Sequence, residues 1–178
     1  MVKRIALTAA ALLVIAIAII LVYATTKPDS FRVQRTASIK APAEKIYVLV
    51  NDLPAHRQWS PWEQKDPGMK RTYTGPSSGK GAKYEWEGNK EIGKGRMEIV
   101  DSSPARITYD MHFLEPFEAR NVAEITMAQA GDATDVTWAI YGPMPYISKV
   151  ITIFCDFDAM IGKEFETGLA NLKSLSEK

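Results

Sequence analysis

The chain has 178 residues, 46% of them hydrophobic and 24% charged, with 22 Lys and Arg against 21 Asp and Glu. This is globular composition, long enough for one domain with a real core, and it excludes disordered, collagen-like and low-complexity classes. The near-neutral balance without a basic run speaks against a nucleic-acid partner. A single cysteine, Cys155, excludes a disulfide framework and a cysteine-rich zinc site, and two histidines, His56 and His112, leave little for a histidine-based metal site.

The first element is Ile5 to Tyr23, 19 residues without a charge, preceded by Lys3 and Arg4. As a helix at about 1.5 Å per residue it would reach roughly 28 Å, close to the hydrocarbon thickness of a bilayer. It exceeds the roughly 7–15 apolar residues of a signal peptide, so the expectation is an uncleaved membrane anchor. The alternative is a cleaved signal segment, since Val22-Tyr23-Ala24 suits a cleavage site. Lys3, Arg4 and the terminal amine favour a cytoplasmic tail and a folded domain on the exported side, periplasmic or extracellular. Lys27, Arg32 and Arg35, soon after the span, oppose that bias. Residues 1–26 are thus read as the anchor or signal segment, 27–30 as a linker and 31–178 as one domain, which beyond residue 26 carries 20 basic and 21 acidic residues.

From Phe31 the period becomes two. Phe31, Val33, Ala37 and Ile39 alternate with polar neighbours and predict a strand. Ala41-Pro42 opens a helix whose buried side draws on Ile46, Val48, Leu49 and Val50, with proline at the first turn. Leu53 to Trp59 predicts a second short helix ending before Ser60-Pro61. Between Lys70 and Gly142, turn signals at Thr74–Gly81, Glu87–Glu91, Asp101–Pro104, Glu115-Pro116 and Gly131-Asp132 divide about six further strands. Ile107, Tyr109, Met111 and Phe113 share one face, as do Met97 and Ile99, and Val136, Trp138 and Ile140. Strands joined by short turns give an antiparallel meander with one covered and one wet face.

Tyr146 to Leu175 changes period again. Ile147, Val150, Ile151, Phe154, Ile161, Phe165, Leu169 and Leu172 recur at three and four, which predicts a single long helix of about 43 Å. Gly162 and Gly168 would weaken it by about 1 kcal/mol each. A helix with one apolar stripe needs a sheet to lie against. The order strand, two helices, meander and long helix is that of an α+β domain with its terminal helix across a concave sheet.

Few residues carry recognisable chemistry. Gly75 to Gly81 lacks the Walker spacing and reads as a turn. His112 shares its face with Thr108 and Asp110 and reads as a surface histidine. His56, beside Trp59, is a candidate ligand or proton-handling group. Cys155, next to Asp156, reads as a partly buried, inert thiol on a helix. Asp158 could point toward the covered side, where a carboxylate would have a raised pKa. Asn121 shares parity with Ala119, Ala123, Ile125 and Met127 and could look into the same space. Tyr84, Trp86, Tyr109, Phe113 and Trp138 fall on inward positions, while Trp59 and Trp62 flank Pro61.

In this order, Ile39–Tyr47, Trp59-Ser-Pro-Trp-Glu63, Thr134–Trp138 and Phe165–Lys173 resemble the SRPBCC superfamily, specifically its START-related polyketide cyclase/dehydrase and lipid-transport branch, over about Phe31 to Lys178. The resemblance implies a helix-grip fold, a curved sheet of about seven strands around a long C-terminal helix, with a deep cavity for a small hydrophobic molecule or lipid. It implies no cofactor and transfers no catalytic motif. On this reading Trp59, Trp86, Tyr109, Phe113, Trp138, Phe154 and Phe157 are the lining candidates, with Asn121 and Asp158 orienting a polar end. The expected function is a membrane-tethered binding or transfer domain. Alternatives are a cyclase or dehydratase using Asp158, Asn121 or His56, and a protein-interaction module.

Overall fold

The computed structural model describes residues 2–178. An apolar helix, α1 (Val2–Thr25), precedes the folded unit, whose sheet begins with β1 (Ser30–Ile39). Six more strands follow: β2 (Lys70–Thr74), β3 (Lys83–Glu87), β4 (Lys94–Ser103), β5 (Arg106–Glu115), β6 (Ala119–Ala130) and β7 (Ala133–Pro143). The sheet order is β1-β7-β6-β5-β4-β3-β2, antiparallel throughout. The meander predicted from β2 to β7 is continuous, and β1 returns to the far edge beside β7, in register from Ser30 opposite Pro143 to Ile39 opposite Thr134. Alternation places Ile107 and Tyr109, Val136, Trp138 and Ile140, and Ile99 in the core.

The connection from β1 to β2 holds three short elements. Pro42 precedes α2 (Ala43–Asn51), which buries Ile46 and Val50. Val48 is 64% exposed, contrary to its expected burial. Two residues along a helix is about 200° of rotation, so Val48 cannot share a face with its neighbours at 46 and 50. A 3₁₀ turn (Leu53–Gln58) follows, started by Asp52 Oδ1 accepting from the Ala55 amide at 3.1 Å. A further helix, α3 (Pro61–Lys65), stands where only an ending was expected, with proline in its first turn.

The predicted single terminal helix is two. After α4 (Tyr146–Ile151) the chain breaks, and α5 (Phe157–Ser176) starts afresh with Asp156 Oδ1 accepting from the Ala159 amide at 3.0 Å. An aspartate cap satisfies a first-turn amide that a continuing helix would have bonded internally. Cys155 lies in this break and is exposed, so it is neither helical nor partly buried.

α5 is fastened to the β1 edge. Arg35 Nη2 donates to Asp158 Oδ2 and Arg35 Nε to Glu166 Oε1, both at 2.8 Å. Lys173 Nζ donates to the Ser38 carbonyl at 2.7 Å, and the Lys40 amide to Glu177 Oε1 at 2.8 Å. Gly162 lets the Arg35 guanidinium lie against the helix, and Gly168 does the same for Trp138: a Cβ at 168 would stand 2.6 Å from Trp138 Cζ3. The two glycines are contact sites for the sheet. α5 consequently packs on β1 and, more lightly, on β7, with no comparable packing on β3, β4 or β5.

Candidate functional site

Between α5 and the uncovered half of the sheet lies a cavity of about 390 Å³. Its closed end is aromatic. The Trp138 and Phe165 rings stack at 4.3 Å between centroids, and Trp59 and Trp62 meet Trp138 edge-on at 5.1 and 5.4 Å. Across the space stand Trp86, Met97, Met111 and Phe113 from β3, β4 and β5. The opening lies between the β3–β4 loop (Glu91, Ile92), the end of β5 and the loop after it (Glu115, then Pro116 and Phe117) and Ile161 in the first turns of α5. Phe117 is 75% exposed there. Lys65 binds Glu91 at 3.0 Å and Glu164 at 2.8 Å, joining one lip of the opening to α5.

A small polar group is set into the wall. The Glu63 carboxylate is buried, accepting from the Tyr84 hydroxyl at 2.6 Å and from Arg71 Nε at 2.7 Å. The Arg71 guanidinium stands behind it, donating also to the carbonyls of Asp66, Pro67 and Met69. His56 Nε2 donates to the Val50 carbonyl at 2.9 Å, and the Tyr109 hydroxyl donates to the same oxygen at 2.6 Å. Burial pushes the His56 pKa down, opposed only in part by the bond to Val50, so the ring is neutral at pH 7. Burial, reinforced at Tyr84 by its bond to Glu63, pushes both phenols up, so they remain protonated donors.

Of the nine residues proposed from the sequence to line a cavity, the structure brings together Trp59, Trp86, Tyr109, Phe113 and Trp138. It leaves four outside. Asp158 faces away from the cavity and pairs with Arg35, whose hydrogen bond lowers its pKa, the reverse of the raised value expected. The Asp156 cap resets the helix there, so extrapolating one continuous stripe put residue 158 on the wrong face. Phe154 sits in the break, 69% exposed, and Phe157 is half-buried at the start of α5, outside the lining. Asn121 has the inward parity, but its amide lies over Gly142, where a Cβ would collide with Oδ1. His112 is buried rather than wet, and its Nε2 lies 3.0 Å from Glu118 Oε1 of the β5–β6 loop.

Sequence reasoning missed Glu63 as a wall residue, along with Met69, Phe117 and Ile161. Glu63 lies on a five-residue helix too short to show a period, and its partner Arg71 is on β2. The one available signal was its place beside two tryptophans in Trp59-Ser-Pro-Trp-Glu63.

A profile of the family described as "Polyketide cyclase / dehydrase and lipid transport" matches residues 30–177. Solved structures share the fold at low identity. The Aha1 dimer from Colwellia psychrerythraea is 15% identical with a TM-score of 0.59, covering 83% of this chain and 96% of that one. The di-domain ARO/CYC BexL from the BE-7585A biosynthetic pathway is 19% identical with a TM-score of 0.59, covering 88% and 53%. Ginseng major latex-like protein 151 from Panax ginseng is 13% identical with a TM-score of 0.58, covering 85% and 100%. No curated protein sequence matches the chain.

Proposed function

This chain belongs to the polyketide cyclase/dehydrase and lipid transport family, and from that premise we propose that it binds a small hydrophobic molecule or lipid beneath α5, held at a membrane by α1. The observation that carries the reading is the aromatic-lined space of about 390 Å³ opening past Phe117. A cavity of this size and lining gains affinity from apolar surface removed from water, at about 25 cal/mol per Å².

The tether rests on α1, a 24-residue helix whose uncharged stretch Ile5 to Tyr23 is long enough to span a bilayer; Lys3 and Arg4 before it favour the folded domain on the exported side. The end of α1 docks on α4. The Tyr146 hydroxyl donates to the Leu21 carbonyl at 2.8 Å, and Ala24 is fully buried. From that contact the chain runs through α4 and the break after it to Ile161 at the cavity mouth. The mouth would thereby stay near a lipid source.

The test is saturation binding of N-phenyl-1-naphthylamine, a neutral apolar fluorophore, to the full chain in lipid nanodiscs, with empty nanodiscs subtracted. One saturable site is expected, weakened in Ala123→Leu, whose side chain enters the cavity. Equal signals from both proteins would refute the reading. Enzymatic use as a cyclase or dehydratase has one observation in its favour. Of Asp158, Asn121 and His56, only His56 lines the cavity, as a neutral base.

A further inference from the structure

Among the described residues, the charged side chains that line the cavity are Glu63, Glu91 and Glu115, with no lysine or arginine. The cations nearest to these are already engaged. Arg71 stands behind Glu63, held also by three backbone carbonyls, and Lys65 is shared between Glu91 and Glu164. Glu115, at the mouth, has no ion-pair partner among the described residues.

Four of the wall's donors are also committed. The hydroxyls of Tyr84 and Tyr109 donate to Glu63 and to the Val50 carbonyl, Trp59 Nε1 donates to the Leu49 carbonyl at 3.1 Å, and His56 Nε2 donates to Val50. A neutral imidazole with its proton on Nε2 leaves Nδ1 as an acceptor. Among the described residues that nitrogen has no hydrogen-bond partner, and the His56 ring is part of the cavity lining. The indole N–H groups of Trp62, Trp86 and Trp138 are likewise without an acceptor, but they are neutral donors suited to a hydroxyl or carbonyl oxygen.

We infer that the cavity selects an uncharged apolar molecule bearing a hydroxyl-type hydrogen-bond donor, received by His56 Nδ1, and rejects carboxylate and phosphate amphiphiles. An anion entering here loses its hydration, meets no free cation and passes the unpaired carboxylate of Glu115. A neutral hydroxyl loses little and gains an acceptor that would otherwise go unpaired. This selectivity rests on the cavity-binding reading and adds the ligand class to it.

The test compares three probes of one ring size, 2-naphthol, 2-methoxynaphthalene and 2-naphthoate, at about pH 7.5, by equilibrium dialysis against the full chain in nanodiscs with empty nanodiscs subtracted. Naphthol is expected to bind most tightly and naphthoate at least about tenfold more weakly. Glu115→Gln, an exposed substitution at the mouth, should narrow the naphthoate gap, and His56→Phe should erase the advantage of naphthol over its methyl ether. Naphthoate binding as tightly as naphthol, or more so, would overturn the inference. Equal affinity for naphthol and the ether would overturn the donor requirement. Binding by none of the three would instead bring down the cavity-binding reading itself, a different outcome from a reversed preference.

Discussion

Ala123 lies at the centre of β6, opposite Tyr109 on β5 and Ile140 on β7, buried and facing the cavity. Replacing it with leucine adds three carbon atoms at a place where the surrounding side chains leave room. Each added methylene equivalent removed from water contributes about 0.8 kcal/mol, and ordering the new side chain costs about 0.5–1 kcal/mol. The net expectation is a stabilisation of about 1.5 kcal/mol. Were the space already packed, the same substitution would force side chains off their rotamers and destabilise by about 1–3 kcal/mol. The sign therefore reports on the void. Urea titrations of the full chain in nanodiscs, followed by tryptophan fluorescence, measure it; all four tryptophans lie between Trp59 and Trp138, in the folded unit. The prediction pairs a higher midpoint with weaker N-phenyl-1-naphthylamine binding. A destabilised variant that keeps full binding would refute the reasoning, because it would place both the room and the ligand elsewhere.

Three further outcomes follow from the same geometry. His56 has a folded-state pKa below its ordinary 6.5, so the unfolded chain binds the extra proton more readily, and stability falls as pH drops below about 6.5 at up to about 1.4 kcal/mol per unit. Urea midpoints measured from pH 7.5 to 5 should decline in the native chain and stay flatter in His56→Gln. The depressed carboxylates Asp158 and Glu177 stabilise the fold above their ordinary 3.8 and 4.5 and lose that contribution only as pH falls below those values, outside this window. Gly168→Ala should destabilise by about 1–3 kcal/mol despite a helix-propensity gain of about 1 kcal/mol, since its Cβ meets the Trp138 ring and, at 3.1 Å, Pro61 Cδ; a rise in urea midpoint would contradict that packing. The full chain should stay in the membrane pellet after alkaline carbonate extraction, and its release into the supernatant would count against α1 as an anchor.

The period-two runs made the sheet legible because each strand buries one face, so Ile107, Tyr109, Val136 and Trp138 announced both strand and side. The terminal helix was harder. Its apolar stripe at three and four runs through Phe154 without pause, while the break depends on a single local contest that Asp156 wins by capping Ala159. The sequence Cys155-Asp156-Phe157-Asp158 holds that cap in plain view, but the two aspartates also look like a functional pair. Gly162 and Gly168 were similarly double-valued. As helix residues they are weak points, and only the third dimension shows Arg35 and Trp138 occupying the space that their missing side chains leave. Glu63 had no such signal, because its partners Arg71 and Tyr84 come from β2 and β3.

The void and the clamp on α5 have one cause. Arg35, Lys40, Ser38 and the two glycines draw the helix onto β1, and Trp138 carries it over β7. A sheet seven strands wide then extends well past the reach of one helix, and the far strands must present apolar side chains to something other than α5. Trp86 and Phe113 partly cover each other edge-to-face at 5.9 Å, and Tyr84 turns its hydroxyl to Glu63. Such contacts keep the wall ordered without filling the centre. Moving α5 inward would close the gap but break the Arg35 fork with Asp158 and Glu166 and lift Gly168 off the Trp138 ring.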